Sequence, residues 1–277
     1  MNSHYYNQKI NLNKIMLIKF LSLPTFLLCF ITIIVSAGIS VGVLILRRRR
    51  IHWETFKENH EVGGFLFNAL GLIYAVLVAF VVYATWSDYE DIYTVCDKEA
   101  DIIQNLYLDC EGLPKESQAE IKKDLIEYME MIVNDDWPLL AKSQSNPESR
   151  DKLVEIWRNF NNIEDPGTEK QKIFFAESLD KLNDITELRR LRILGAQNHI
   201  PVIIWTVILI GALTSVGFSL FFGTRSFAIQ ATMTSLFAMT NAIVILMILA
   251  LDHPFTGEIK ISTDAYEQVL NLLKNSM

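Results

Sequence analysis

The chain of 277 residues carries 32 acidic and 25 basic side chains, which gives a net charge of −7 at neutral pH. This acidic balance disfavours nucleic-acid binding, because phosphate neutralisation needs a basic face. Hydrophobic residues make up 51% of the chain, close to the share in soluble domains. The average therefore decides little about the class of protein, and the distribution of the apolar residues decides more.

Four long stretches contain no charged residue, namely 20–46, 62–87, 193–224 and 226–251. Each holds at least 26 residues, whereas a helix needs about 20 apolar residues to cross a bilayer. Buried helices of a soluble core rarely stay uncharged for so long. We therefore predict an all-α polytopic membrane protein with four transmembrane helices in two hairpins and a helical extramembrane domain.

The predicted segments follow one another simply along the chain. They are an N-terminal tail (1–19), a first transmembrane hairpin (20–87, helices at 20–46 and 62–87), an acidic helical domain (88–199), a second hairpin (200–251, helices at 200–222 and 226–251), and a C-terminal turn and helix (252–277). The first apolar run is longer than a signal-peptide h-region of about 7–15 residues. Because it ends in Arg47–Arg50, we interpret it as a membrane anchor.

The region between the hairpins is strongly acidic and follows a helical pattern. Residues 86–199 contain 25 acidic and 14 basic side chains. Apolar residues recur there at three- and four-residue steps, and Pro and Gly breaks divide the region into three or four helices. No breaker occurs between Gly71 and Gly112, so we expect the second span to continue out of the membrane as one long helix.

The charge pattern gives an ambiguous sidedness. Positive-inside counting places the Arg47–Arg50 loop, with Lys57, in the cytoplasm, which puts the acidic domain outside. Lys9, Lys14, Lys19 and the arginines at 189, 190 and 192 favour the opposite orientation. The four consecutive arginines are the densest signal, so we predict a multi-pass protein of a bacterial inner membrane with an extracytoplasmic domain.

No enzyme signature occurs in the chain, and we predict neither an enzyme nor a required cofactor. The histidines are His4, His52, His60, His199 and His253. All lie in the tail or at predicted membrane boundaries, and we interpret them as interfacial polar residues. The cysteines Cys29, Cys96 and Cys110 show no metal-site spacing.

The second span is the candidate pore lining. Six residues share one stripe at three- and four-residue steps: Phe65, Asn68, Leu72, Val76, Ala79 and Tyr83. Core packing is the alternative interpretation of this stripe. Glu61, at the start of the helix, complements the helix dipole or forms an acidic ring at a pore mouth in an oligomer.

Small residues at four-residue spacing mark three spans: Gly38 and Gly42 in the first, Gly71, Ala75 and Ala79 in the second, and Gly211, Ser215 and Ser219 in the third. Such spacing lets helix backbones approach closely. The pattern fits packing within one subunit or packing between subunits.

A turn follows the fourth span, where Pro254 and Gly257 lie between Asp252 and Glu258. The turn is either a helix stop with solvated acids or a binding site for a cation such as calcium, formed by carboxylate and carbonyl oxygens.

Several motifs resemble the bestrophin-like family of membrane proteins. They are His60–Gly64 leading into Ile73–Val82, Leu106-Tyr107, Asp136-Trp137-Pro138, Arg189–Arg192 and Leu251–Gly257. The resemblance implies a homo-oligomer, pentameric as in bestrophins, whose second span lines an ion pore. It also implies calcium binding after the turn, although Ile259-Lys260-Ile261 replaces the run of acids found in bestrophins. Bestrophins keep their soluble domain in the cytosol, contrary to the charge count here.

Two hypotheses of function follow. The first is an oligomeric bestrophin-like ion channel in the lipid bilayer, with the transported ion unknown. The second is a non-conducting membrane scaffold or sensor whose acidic domain binds a partner.

Overall fold

The computed structural model describes residues 16–50 and 60–275, and no β-strand occurs within these ranges. The helices are α1 (Thr25–Arg50), α2 (His60–Asp109), α3 (Lys115–Met131), α4 (Trp137–Leu140), α5 (Pro147–Asn161), α6 (Glu169–Gln197), α7 (Val202–Ser219), α8 (Phe227–Leu251) and α9 (Asp264–Asn275). The all-helical prediction is confirmed. Most of the predicted tail, with His4, Lys9 and Lys14, and the loop residues His52 and Lys57 lie outside the described residues.

Four helical segments are long and apolar enough to cross a membrane, and they coincide with the four predicted spans. The first transmembrane helix begins at Thr25 rather than at residue 20. Residues 16–21 are also helical, but Pro24 disfavours helical geometry in the preceding residue and separates the two segments. The transmembrane helix continues through Arg50, since arginine is a good helix former and cations are favourable at a helix C-terminus.

The second span continues without a break into the soluble domain, as expected from the absence of a breaker. Helix α2 has 50 residues, which corresponds to a length of about 75 Å at 1.5 Å per residue. Its N-terminal half packs in the membrane region against α7 and α8, and its C-terminal half packs against α6. One rigid element therefore joins the membrane region to the soluble domain.

The soluble domain packs the C-terminal half of α2 with α3, α5, α6 and α9 around a buried apolar core. Local sequence fixes where its helices begin. Thr168 and Gln171 form a reciprocal capping box at the start of α6. Asn146 caps α5, and Pro147 occupies its first turn.

In the membrane region α1 packs chiefly along α8. The Arg48 guanidinium donates to Gln230 Oε1 at 2.8 Å, and the Ser40 and Ser235 hydroxyls are 3.5 Å apart. The first contact joins the C-terminal end of α1 to the N-terminal part of α8, and the second joins the two helices nearer their middle. Both give polar groups a protein partner, which the lipid does not offer. The first two spans are neighbours in sequence, but the first span obtains its main packing from the fourth.

Candidate functional site

One face of the second span packs against the other spans of the same chain. The Phe67 ring lies 5.6 Å from Phe218 and 5.8 Å from Phe237, measured between ring centroids. The Tyr74 hydroxyl donates to the Ile208 carbonyl at 3.2 Å. Phe67 and Tyr74 are seven residues apart, so they share one side of the helix.

The opposite face carries the predicted stripe. At about 100° per residue, Phe65 and Tyr83 project about 180° away from the packed side. Phe65 is 78% exposed, Leu72 68% and Tyr83 71%, and Asn68, Val76 and Ala79 are also exposed. The structure therefore brings all six residues onto one continuous face that the rest of the chain leaves uncovered.

Beyond the predicted membrane boundary the same face becomes acidic. Glu90, Asp97 and Asp101 lie at helical steps along the continuation of the stripe, and all three are exposed. On the opposite side of the helix Cys96 and Ile103 are buried in the soluble core. Glu61 is exposed in the first turn, at the other end of the stripe.

The small-residue patterns divide into two kinds. A Cβ atom on Gly211 would lie 2.4 Å from the Tyr74 ring, so this glycine lets α7 approach α2 within the subunit. Ser215, one turn further along α7, is fully buried. By contrast, a Cβ atom on Gly38, Gly42 or Gly71 would meet no atom within 4 Å among the described residues.

The turn after the fourth span gives its two acids different partners. Glu258 accepts a hydrogen bond from the backbone N–H of Thr25 at 2.6 Å, and this bond lowers the pKa of the Glu258 carboxyl. Gly257, with φ of 88°, lies so close to Leu21 that a Cβ atom would be 2.7 Å from the Leu21 carbonyl oxygen. The turn thus holds the segment before α1, and calcium binding by Asp252 and Glu258 stays a prediction.

Asp252 instead joins two histidines where α7 begins and α8 ends. Its Oδ1 accepts the Ile200 N–H at 2.7 Å. Its Oδ2 lies 4.0 Å from His199 Nδ1 and 3.8 Å from His253 Nδ1. The two imidazole rings stack with centroids 4.7 Å apart. The sequence analysis treated these histidines singly, because His199 and Asp252 are 53 positions apart in the chain and no local pattern indicates that they are close.

A buried ion network occupies the centre of the soluble domain. The Arg192 side chain is fully buried and donates to Glu99 at 2.7 and 3.2 Å and to Asp136 at 3.1 Å. The hydroxyls of Tyr128 and Tyr266 also donate to Glu99, at 3.2 and 2.8 Å. Two motifs quoted for the family resemblance, around Asp136 and Arg192, thus meet in one site whose role is structural.

Comparisons with solved structures show the fold. A point variant of a membrane protein superposes with a TM-score of 0.70 at 13% identity, covering 88% of this chain and 97% of that one. A bacterial bestrophin homologue from Klebsiella pneumoniae gives a TM-score of 0.66 at 13% identity, covering 89% and 97%. A tyrosine-to-alanine variant of that homologue gives 0.68 at 13% identity, covering 88% and 98%.

Among curated protein sequences none matches the chain. The model of the Bestrophin-like domain matches residues 34–266, which include all of the last three spans, most of the first span and the soluble domain up to the start of α9. This match covers far more than half of the chain and runs through the stripe, the histidine cluster and the buried ion network. The chain is therefore a multi-pass membrane protein that belongs to the bestrophin-like family.

Proposed function

We propose that the chain is one subunit of a homo-oligomeric ion channel in which the α2 helices of neighbouring copies line a shared pore. The uncovered stripe opposite the packed face of α2 carries this proposal. An oligomer around α2 covers that stripe and gives the side-chain amide of Asn68 an aqueous surface, which lipid does not provide. Five subunits is the number implied by the likeness to bestrophins.

The composition of the stripe suggests how such a pore gates. Phe65, Leu72 and Val76 are apolar, and the span between 62 and 87 contains no charged residue. A ring of these side chains forms a hydrophobic constriction, which closes by losing water when it narrows. Asn68, between Phe65 and Leu72, is the one polar side chain among these apolar residues of the stripe.

The acidic continuation of the stripe favours cations. In an oligomer Glu90, Asp97 and Asp101 repeat around the axis and create a negative potential at the end of the pore nearest the soluble domain. Such a potential raises the local concentration of cations and repels anions. We therefore propose a cation preference, set outside the membrane rather than in the apolar constriction.

Reconstitution in planar bilayers tests the channel. Purified protein should give single-channel currents, and Phe65→Ala or Asn68→Ala should change their amplitude or open probability. Ile203→Ala is a matched control, because Ile203 is an apolar residue of the third span, 69% exposed, on a helix that does not carry the stripe. Silent bilayers containing folded protein, or stripe variants identical to the wild type, would contradict the proposal and favour the non-conducting scaffold.

The side of the membrane on which the soluble domain lies stays a prediction, extracytoplasmic by charge counting. Glu164 is exposed in the loop between α5 and α6, so Glu164→Cys provides an accessible thiol. Labelling by a membrane-impermeant maleimide on intact cells would support the extracytoplasmic orientation. Labelling that occurs only after lysis would place the domain in the cytosol, as in bestrophins.

A further inference from the structure

We propose that His199, Asp252 and His253 form a binding site for a transition-metal ion of the zinc class. The three side chains come from the start of the third span and the end of the fourth, and their potential ligand atoms all lie within 4.8 Å of one another. Two imidazoles and one carboxylate are a common ligand set for catalytic or regulatory Zn²⁺, with a further position left for water.

The distances suit metal binding after a small contraction. In tetrahedral coordination, Zn–N and Zn–O bonds of about 2.0–2.1 Å place neighbouring ligand atoms about 3.4 Å apart. Asp252 Oδ2 now lies 4.0 and 3.8 Å from the two Nδ1 atoms. Shortening these two distances by about 0.5 Å is within the freedom of side-chain torsions. The imidazole nitrogens lie within 4.8 Å of each other, so they approach by up to about 1.4 Å to reach tetrahedral spacing.

Asp252 and His199 have outer partners that orient them, as metal ligands usually do. His253 Nδ1 lies 3.1 Å from the Leu249 carbonyl oxygen, and metal binding through Nδ1 replaces this hydrogen bond. The second oxygen of Asp252 accepts the Ile200 N–H. His199 Nε2 lies 3.3 Å from the Ser143 hydroxyl. Coordination through Nδ1 places the ring proton on Nε2, where the Ser143 oxygen accepts it. In the metal-free arrangement His199 Nδ1–H donates to the Asp252 backbone carbonyl oxygen at 2.9 Å, and the metal takes the place of that proton.

Charge and access also fit a cation. The Asp252 side chain is 6% exposed, and a carboxylate buried to this extent is stabilised when it is paired with a positive charge or binds a metal ion. His199 and Asp252 line a cavity of about 610 Å³ between α2, α6 and α7, which gives an entry path and room for a water ligand. A bound ion would join the third span, the fourth span and Ser143 of the soluble domain.

Metal titration of the detergent-solubilised, chelator-treated protein tests the site. Isothermal titration calorimetry with Zn²⁺ should show one site per chain, and the paired substitution His199→Ala with His253→Ala should weaken it at least about 100-fold. Ser143→Ala, which removes only an outer partner, should weaken it about 10-fold. The matched control replaces His4, His52 and His60 with alanine and should leave Zn²⁺ affinity unchanged.

X-ray absorption spectroscopy of the wild-type protein with Zn²⁺ bound supplies a second measurement. It is needed because the paired substitution removes hydrogen bonds and can unfold the protein. Two imidazole nitrogens and oxygen ligands are expected. Absence of Zn²⁺ binding, binding that survives the paired substitution, or a spectrum without imidazole would overturn the site. None of these measurements depends on ion conduction. The proposal of a metal site and the proposal of a channel can therefore be contradicted independently of each other.

Discussion

At the residue scale the most consequential side chain is Arg192. Its guanidinium is enclosed by two carboxylates and lies over the Trp137 ring, 5.5 Å from the centroid. The Trp137 indole in turn donates to the Ile261 carbonyl at 2.9 Å. A buried charge network of this kind favours one arrangement of α2, α6 and α9, because a shift of one helix against the others would leave buried charges unpaired.

Removal of Arg192 should therefore destabilise the soluble domain severely. Arg192→Met leaves Glu99 and Asp136 buried without a counter-charge, and we expect a loss of about 3–5 kcal/mol in the free energy of unfolding. Urea unfolding followed by tryptophan fluorescence measures it. Lys172→Met is the control, because the Lys172–Glu169 pair is exposed and contributes about 1 kcal/mol or less. Equal losses in the two variants would contradict the structural role of the network.

The cysteines of the soluble domain should be chemically inert. Cys96 and Cys110 are buried, and burial raises the pKa of each thiol to about 12. Because the thiolate is the reactive form, maleimide at pH 8 should modify neither residue in the folded protein and both in urea, as counted by mass spectrometry. Glu164→Cys supplies an exposed positive control. Rapid labelling of Cys96 or Cys110 without denaturant would show that the domain opens.

At the element scale the contact between α2 and α7 depends on the absence of a side chain at residue 211. Gly211→Ala should lower the thermal midpoint of the detergent-solubilised protein, because the added methyl group meets the Tyr74 ring at 2.4 Å. Gly217 on the same helix has no atom within 4 Å of its hypothetical Cβ among the described residues. Gly217→Ala should therefore be neutral or slightly stabilising, since alanine is the better helix former.

A double substitution separates the steric effect from a general weakening of the helix. Tyr74→Ala combined with Gly211→Ala removes the clash, so the second change should cost less than it does in the wild-type background. Additive losses in thermal midpoint would show that Tyr74 and Gly211 do not interact.

At the scale of the whole molecule, the proposed channel predicts where ion selectivity arises. Neutralising the acidic face with Glu90→Gln, Asp97→Asn and Asp101→Asn should shift the reversal potential, in a cation gradient, toward weaker cation preference, because the mouth loses its negative potential. Glu164→Gln and Asp165→Asn, in an exposed loop far along the chain, form the control. An unchanged reversal potential in active channels would contradict the acidic face as the selectivity determinant while leaving the pore itself intact.

Much of the architecture can be predicted from the sequence, for a local physical reason. The four spans follow from uncharged runs longer than a bilayer needs, and the continuation of α2 to Asp109 follows from the absence of Gly or Pro through the membrane boundary. The stripe is also local, because 3.6-residue periodicity alone places Phe65, Leu72 and Tyr83 on one face. These properties depend on neighbours in sequence and on the solvent around one helix.

Only the tertiary structure showed which of these residues act together. His199 and Asp252 are 53 residues apart, and Glu99 and Tyr266 are 167 apart, so no local pattern predicts either contact. The structure also assigned the packing of α1 to α8 and gave Asp252 and Glu258 different partners across the turn. The local sequence thus determines that the second span is a transmembrane helix. Which of its faces is packed and which is uncovered depends on the side chains of α7 and α8 that contact it.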